Sequence, residues 1–246
     1  MIGVFDSGIG GVTVLKEIIK LIPLNFLYYS DSIHNPYGDK DEEELYKIVK
    51  DIVNYLLKEG CVAIVIACNT ASAICVKRLR REYPDILFIA IEPAYKMVHD
   101  YNPLGKSLVM ATKGTLESEK FMALYKKYDN HKTILLPCVG LAELIEEGDN
   151  EKIDDYLKKN LSKYKGVNNI VLGCTHYPLI KNNIRKVLGN VNFFDGSIGV
   201  SRELLRQLEK RKITFNNDDK VKIKFIDSSG DINKEKRFRE LLKESN

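Results

Sequence analysis

The chain has 246 residues, 44% of them apolar and 29% charged, with 38 basic against 34 acidic side chains and a net charge of +4. This composition suits a soluble globular protein and excludes disordered and collagen-like classes. The basic excess is mild and dispersed, so no nucleic acid partner is expected, and no apolar run reaches the ~18 residues a membrane helix needs.

The opening Met1-Ile2-Gly3-Val4-Phe5 passes straight into a strand, without the charged and apolar stretch of a secretory signal, so the expected compartment is the cytoplasm. In chain order the predicted strands are Ile2–Asp6, Phe26–Ser30, Val62–Ala67, Leu87–Ile91, Leu108–Thr112, Thr133–Leu136, Ile170–Gly173, Val191–Phe194 and Val221–Ile226. Between them lie amphipathic segments. From Asp41 to Glu59, Leu45, Ile48, Val49, Ile52, Val53 and Leu56 form one helical stripe. Runs such as Val62 to Ala67 are apolar on both faces, as parallel strands covered by helices must be. The expectation is an α/β fold with parallel, doubly wound sheets. The tail from Asn216 to Asn246 is expected to add one strand and a final helix, whose Phe238, Leu241 and Leu242 pack back on the first lobe.

After the first strand comes Phe5-Asp6-Ser7-Gly8-Ile9-Gly10-Gly11. It mimics a dinucleotide fingerprint, and Asp31 even mimics the ribose-binding acid. However, Thr13 stands where the third glycine belongs, and an aspartate aimed at a pyrophosphate would repel it. The glycines are read instead as letting backbone N–H groups approach a small carboxylate at a helix N-terminus.

The five cysteines, Cys61, Cys68, Cys75, Cys138 and Cys174, are odd in number and contain no C-x-x-C. Neither a disulfide framework nor a structural metal is expected. Shifting the chain by 106 residues lays Ile64–Thr70 on Ile170–His176, and so Cys68 on Cys174. The same shift lays Gly8 on Gly114 and Phe26–Tyr29 on Lys132–Leu135. Two similar lobes follow, drawn at 1–93 plus 208–246 and at 94–207, with a cleft between them.

Ligands of open parallel sheets bind beyond the carboxyl ends of the strands. Both repeated thiols sit there, each before a helical pattern whose N-terminus lowers a cysteine pKa. One thiol alone reads as a small buried hydrophobe. Two at equivalent positions suit racemisation, which removes a proton from one face of a carbon and returns one on the other. His176 is the candidate assistant of Cys174, and Asp6 that of Cys68. Ser7, Asn69, Thr70, Thr112, Thr115 and Thr175 are polar groups suited to a small zwitterion. Pro36-Tyr37-Gly38 by itself reads as a turn.

Together these stretches resemble the glutamate racemases of the aspartate/glutamate racemase superfamily. The resemblance is carried by Gly3–Gly11, Pro36-Tyr37-Gly38, Ala67-Cys68-Asn69-Thr70-Ala71-Ser72, Leu172-Gly173-Cys174-Thr175-His176-Tyr177-Pro178-Leu179 and Ser229-Gly230-Asp231. It implies interconversion of L- and D-glutamate without pyridoxal phosphate, flavin or metal, in service of peptidoglycan synthesis, by a homodimer. It also implies that Cys68 and Cys174 carry the protons. The implied substrate contacts are Asp6-Ser7, Tyr37-Gly38, Asn69-Thr70, Thr175-His176 and, further along, Thr112 and Thr115. Glu146 takes the place of the family's acidic helper in the catalytic set. The stretch Leu141–Glu146 departs from the family's Phe-Val-Pro-Leu-Val-Glu, with Glu143 replacing the proline.

Three other readings compete. One is a relative acting on aspartate or a hydantoin. Another is a cysteine hydrolase with Cys174 as nucleophile and His176 as base, which requires a turn that folds the two together. The last is an amino-acid binding protein, which would need the polar contacts but no paired thiols.

Overall fold

The computed structural model describes residues 1–215 and 220–244. The first half of the chain runs β1 (Ile2–Asp6), α1 (Val12–Ile19), β2 (Phe26–Ser30), α2 (Glu42–Lys58), β3 (Ala63–Ile66), α3 (Asn69–Glu82) and β4 (Leu87–Ala90). A second unit follows: α4 (Tyr95–Tyr101), β5 (Ser107–Ala111), α5 (Lys113–Glu117), α6 (Glu119–Tyr128), β6 (Thr133–Pro137), α7 (Leu141–Glu147), α8 (Asn150–Leu161), β7 (Asn169–Gly173), α9 (Lys181–Leu188) and β8 (Asn192–Phe194). The chain ends with α10 (Ser197–Lys210), β9 (Ile223–Asp227) and α11 (Ile232–Lys243). All nine predicted strands are present, within two residues at each end. The expected tail begins at Asn216, outside the described residues, as do 217–219 and 245–246.

Two parallel sheets result, β4-β3-β1-β2-β9 and β6-β5-β7-β8. In each, the lobe's first strand lies between its second and third, and its fourth lies outside the third. The repeat is therefore topological, but its register is not a single shift. With Ile64 laid on Ile170, the pairings place Gly3 on Leu108, Leu27 on Ile134 and Phe88 on Phe193. The first and fourth strands fall one residue short of the 106-residue shift and the second one residue beyond it. The overlay of Phe26–Tyr29 on Lys132–Leu135 is thus off by one. A loop absorbs a one-residue change that a strand cannot, because a slip there would exchange its two faces.

Both faces of each sheet are covered, which is why β1, β3, β5 and β7 are buried along their whole length. On one face of the first sheet, Leu45, Val49, Ile52, Val53 and Leu56 of α2 meet Phe5, Leu27, Ile64 and Ile66. The helix starts where it does because Asp41 caps the N–H groups of Glu43 and Glu44, and three glutamates follow in the positive first turn. Val14, Leu15 and Ile18 of α1 cover the other face, together with Phe238 and Leu241 of α11. The last strand and helix therefore do pack on the first lobe.

Val200, Leu204 and Leu208 of α10 lie in that same core. The sequence division left residues up to 207 with the second lobe. We propose that the return crossing falls at residues 195–196, between β8 and α10. The amphipathic stripe of α10 is visible in the sequence, but not which sheet it covers.

Candidate active site

The carboxyl ends of β1, β3, β5 and β7 face one cleft between the lobes. Its cavity measures about 30 Å³, enough for one or two water molecules. That is less than a free amino acid occupies. Ser7, Tyr37, Gly38, Cys68, Asn69 and Thr70 line one wall, and Thr112, Cys174, Thr175 and His176 the other. Ten of the residues singled out in the sequence therefore meet in one place. The remaining three, Asp6, Thr115 and Glu146, lie behind this lining. Thr115 is wholly buried and hydrogen-bonds the hydroxyls of Thr70 (3.3 Å) and Thr112 (3.0 Å), which themselves pair at 2.9 Å across the lobes. It supports the wall rather than forming it. Glu143, the departure from the family pattern, lines the cavity, as does Cys138.

Cys68 caps the N-terminus of α3 in extended conformation. Its thiol donates to Ser7 Oγ at 3.8 Å. Burial, then the nearby Asp6 carboxylate, push the thiol pKa up, and the Ala71 N–H and Ser7 do not offset them. The lowering expected from the helix end alone is therefore overturned, and Cys68 rests as a protonated thiol at neutral pH. Asp6 is itself fully buried. One of its oxygens accepts from Gly11 N–H (2.8 Å) and Thr175 Oγ (3.1 Å), while its Oδ1 has no partner. Burial raises its carboxyl pKa against the opposing charge of His176. Asn69 next to the thiol is buried with neither amide atom hydrogen-bonded.

Cys174 directly follows β7, but no α-helix begins beside it. A 3₁₀ turn at Tyr177–Ile180 intervenes before α9. The expected helix N-terminus is missing on this side, and His176 stands in its place. The turn brings its Nδ1 within 3.6 Å of Cys174 Sγ, while its Nε2 lies 2.7 Å from Glu146 Oε1. Burial works against the imidazolium, but Cys174 and Glu146 outweigh it and hold the His176 pKa well above its ordinary value. Burial also works against the Glu146 carboxylate, and His176 and Lys234 bring its pKa down to about 2.

The glycine loop joins the two sides. Its amides do bind carboxylates, but these belong to the protein: Gly11 N–H donates to Asp6, and Ile9 N–H to Glu146 at 2.6 Å. A Cβ at Gly8 would overlap Glu146 Oε1, and one at Gly10 would lie 2.7–2.8 Å from three atoms of the His176 ring. The glycines thus allow the second lobe's Glu146 and His176 to seat directly on the first lobe's backbone. No single stretch of sequence discloses this, because the two halves of the contact lie far apart in the chain.

Residues 24–198 match the family described as Asp/Glu/hydantoin racemase. The chain belongs to this family. Among its relatives, the glutamate racemase of Clostridium perfringens is 42% identical over 98% of this chain and 94% of its own length. That of Clostridium kluyveri is 44% identical over 99% and 97%. The crystal structure of a glutamate racemase isoform from Bacillus anthracis superposes with a TM-score of 0.84 at 31% identity, covering 98% of this chain and 92% of that one. The glutamate racemase of Francisella tularensis, solved in complex with D-glutamate, gives 0.82 at 28%, covering 99% and 94%. The two-lobed fold implied by the sequence resemblance is therefore the family's fold.

The sequence reading also missed Lys234. It reaches Glu146 Oε2 from α11 at 2.9 Å. The only hint was Ser229-Gly230-Asp231, which resembles the family pattern. Asp231 caps α11 by accepting from Asn233 N–H, and so fixes where that helix begins. Among the described residues no cluster of three or more His, Cys, Asp or Glu is arranged to hold a metal, and no helix is long and apolar enough to cross a membrane.

Proposed function

We propose that this chain interconverts L- and D-glutamate by two-base proton transfer between Cys68 and Cys174. The observation that carries the reading is the pair of thiols at equivalent strand ends of two like lobes, lining one small cavity. The Cα–H of an amino acid is a weak acid, and the carbanion inverts only if the proton returns on the opposite face. One sulfur, as thiolate, takes the proton, and the other, as thiol, supplies a different one. The roles exchange for the opposite enantiomer. Ser7 and Asp6 serve the Cys68 side; His176 and Glu146 serve the Cys174 side. Tyr37, Gly38, Asn69, Thr70, Thr112 and Thr175 hold the substrate, with Thr115 bracing two of them. The unpartnered amide of Asn69 supports this assignment, since a buried polar group without a partner is stabilised by a ligand that supplies one.

The whole-length similarity to glutamate racemases favours glutamate over aspartate or a hydantoin. The same reading places the enzyme in the cytoplasm as a homodimer, supplying D-glutamate for peptidoglycan. The test is incubation with L-glutamate in heavy water, following the Cα proton by NMR and the optical rotation together. We expect exchange and loss of rotation in parallel, and a fall of about 10²–10⁴ in rate for Cys68→Ser and for Cys174→Ser. An intact Cα–H, or two single variants with near-normal rates, would overturn the mechanism.

A further inference from the structure

We propose that Lys234, on the C-terminal helix, is a positioning residue for Cys174 and a clasp between the lobes, acting through Glu146 and His176. The inference rests on the reading of Cys174 as a proton carrier. Glu146 belongs to the second lobe, yet two of its three partners belong to the first: Ile9 N–H at 2.6 Å and Lys234 Nζ at 2.9 Å. The third is His176 Nε2 at 2.7 Å, and that ring's other nitrogen faces Cys174 Sγ. An unbroken line of contacts therefore runs from the last helix of the first lobe to the thiol of the second.

The ammonium is held in place by the packing of its helix. Phe238 packs its ring at a tilt against Tyr28 and Phe225, each with ring centroids 4.6 Å away, and Leu241 is buried. At the far end of the helix, Lys16 Nζ donates to the Glu244 carbonyl at 2.5 Å. Tyr28 in turn donates its hydroxyl to the Gly8 carbonyl at 2.8 Å, in the loop on which Glu146 sits. The helix thus meets the site at two points.

Lys234 shares the charge of a carboxylate that would otherwise lean on His176 alone. The titratable groups that interact with Glu146 are His176, Lys234, Asp6 and Tyr28. Removing the lysine takes one cation from this set and one tie from the interface. Losing that cation makes a negative charge at Cys174 less favourable, so the acid limb of activity moves to higher pH. Parting of the lobes also becomes easier.

The experiment compares wild type, Lys234→Met and Lys234→Arg in the full chain, with melting temperature as the control for folding. Racemisation is measured from pH 5 to 9. In parallel, alkylation of each cysteine by iodoacetamide is mapped by peptide mass spectrometry, which needs no substrate. We expect Lys234→Met to lower kcat/KM about three- to thirtyfold, to shift the acid limb upward, and to move the reactivity profile of Cys174 but not of Cys68 to higher pH. Lys234→Arg should restore both. An unchanged Cys174 profile, or equal changes at both thiols, overturns the inference. If the wild type fails to racemise glutamate, the functional reading falls, while the alkylation comparison still decides whether Lys234 acts on Cys174.

Discussion

A single methyl group at Gly10 tests whether the two lobes must meet through the glycine loop. In Gly10→Ala the new Cβ lies 2.7 Å from His176 Nδ1 and 2.8 Å from two further ring atoms. Carbon contacts are comfortable near 3.5–4.0 Å, so ring or loop must retreat by roughly 1 Å. The ring cannot swing freely. It is 1% exposed, with one nitrogen against Cys174 and the other bonded to Glu146. Overpacking of this kind costs about 1–3 kcal/mol. Where the strain falls on the closed arrangement, that is about a 5- to 150-fold loss in kcat/KM. A misplacement of about 1 Å at reacting groups independently suggests about a hundredfold. The assay follows the optical rotation of glutamate over a range of concentrations, beside a melting curve. Gly199→Ala is the control. It places the same methyl near the start of α10, where nothing lies within 4 Å, and should leave the rate unchanged. A folded Gly10→Ala protein within threefold of wild type would refute the argument that the loop glycines exist to seat His176.

Two other substitutions separate the roles of fold and site. Asn69→Ala removes an amide whose buried atoms have no protein partner, relieving about 1–3 kcal/mol of desolvation. The melting temperature should stay level or rise while the KM for glutamate increases about 10- to 100-fold; a lower melting temperature with unchanged KM would make Asn69 a residue of the fold alone. Glu146→Gln addresses acid stability. Its carboxyl pKa is depressed to about 2, so the stabilisation is fully present above the ordinary glutamate value of about 4.3 and is lost as pH falls through 2. The wild type should exceed the variant by a few kcal/mol near pH 6 and by progressively less toward pH 2. A gap that stays constant over this range in chemical denaturation would contradict the depressed carboxyl.

Much of the architecture was legible because it is local. Apolar runs such as Val62–Ala67 announce buried parallel strands, and the Asp41 cap with its stripe of leucine, isoleucine and valine announces α2. The thiol pair was legible because the repeat copies strand ends faithfully, and function needs those ends. What stayed hidden is non-local. The sequence does not say that Val200 and Leu204 cover the first sheet rather than the second. It does not say that the carboxylate approached by Ile9 N–H belongs to Glu146, nor that Lys234 completes that site. The helix expected after Cys174 failed for a local reason that propensity underweights. Pro178 cannot donate a backbone N–H, and it sits in a 3₁₀ turn that delays α9 until Lys181.

That turn makes the two halves of the site physically different. Cys68 has the N-terminus of α3, the Ser7 hydroxyl and a buried Asp6; Cys174 has an imidazole, a carboxylate and an ammonium in series. The proton transfers at the two sulfurs therefore have different barriers. The substrates, however, are mirror images of equal free energy in water, so the overall equilibrium constant is one. It follows that kcat/KM must be the same in both directions, for this protein and for every variant of it. Asymmetry between the thiols is confined to kcat and KM taken separately, whose ratios between the two enantiomers must match. Damage to the His176–Glu146–Lys234 side must therefore lower both directions of kcat/KM together, even though only one thiol is touched. The thiol at fault is identified only by measurements at a single sulfur, such as its alkylation rate, or by the solvent isotope effect on each direction separately.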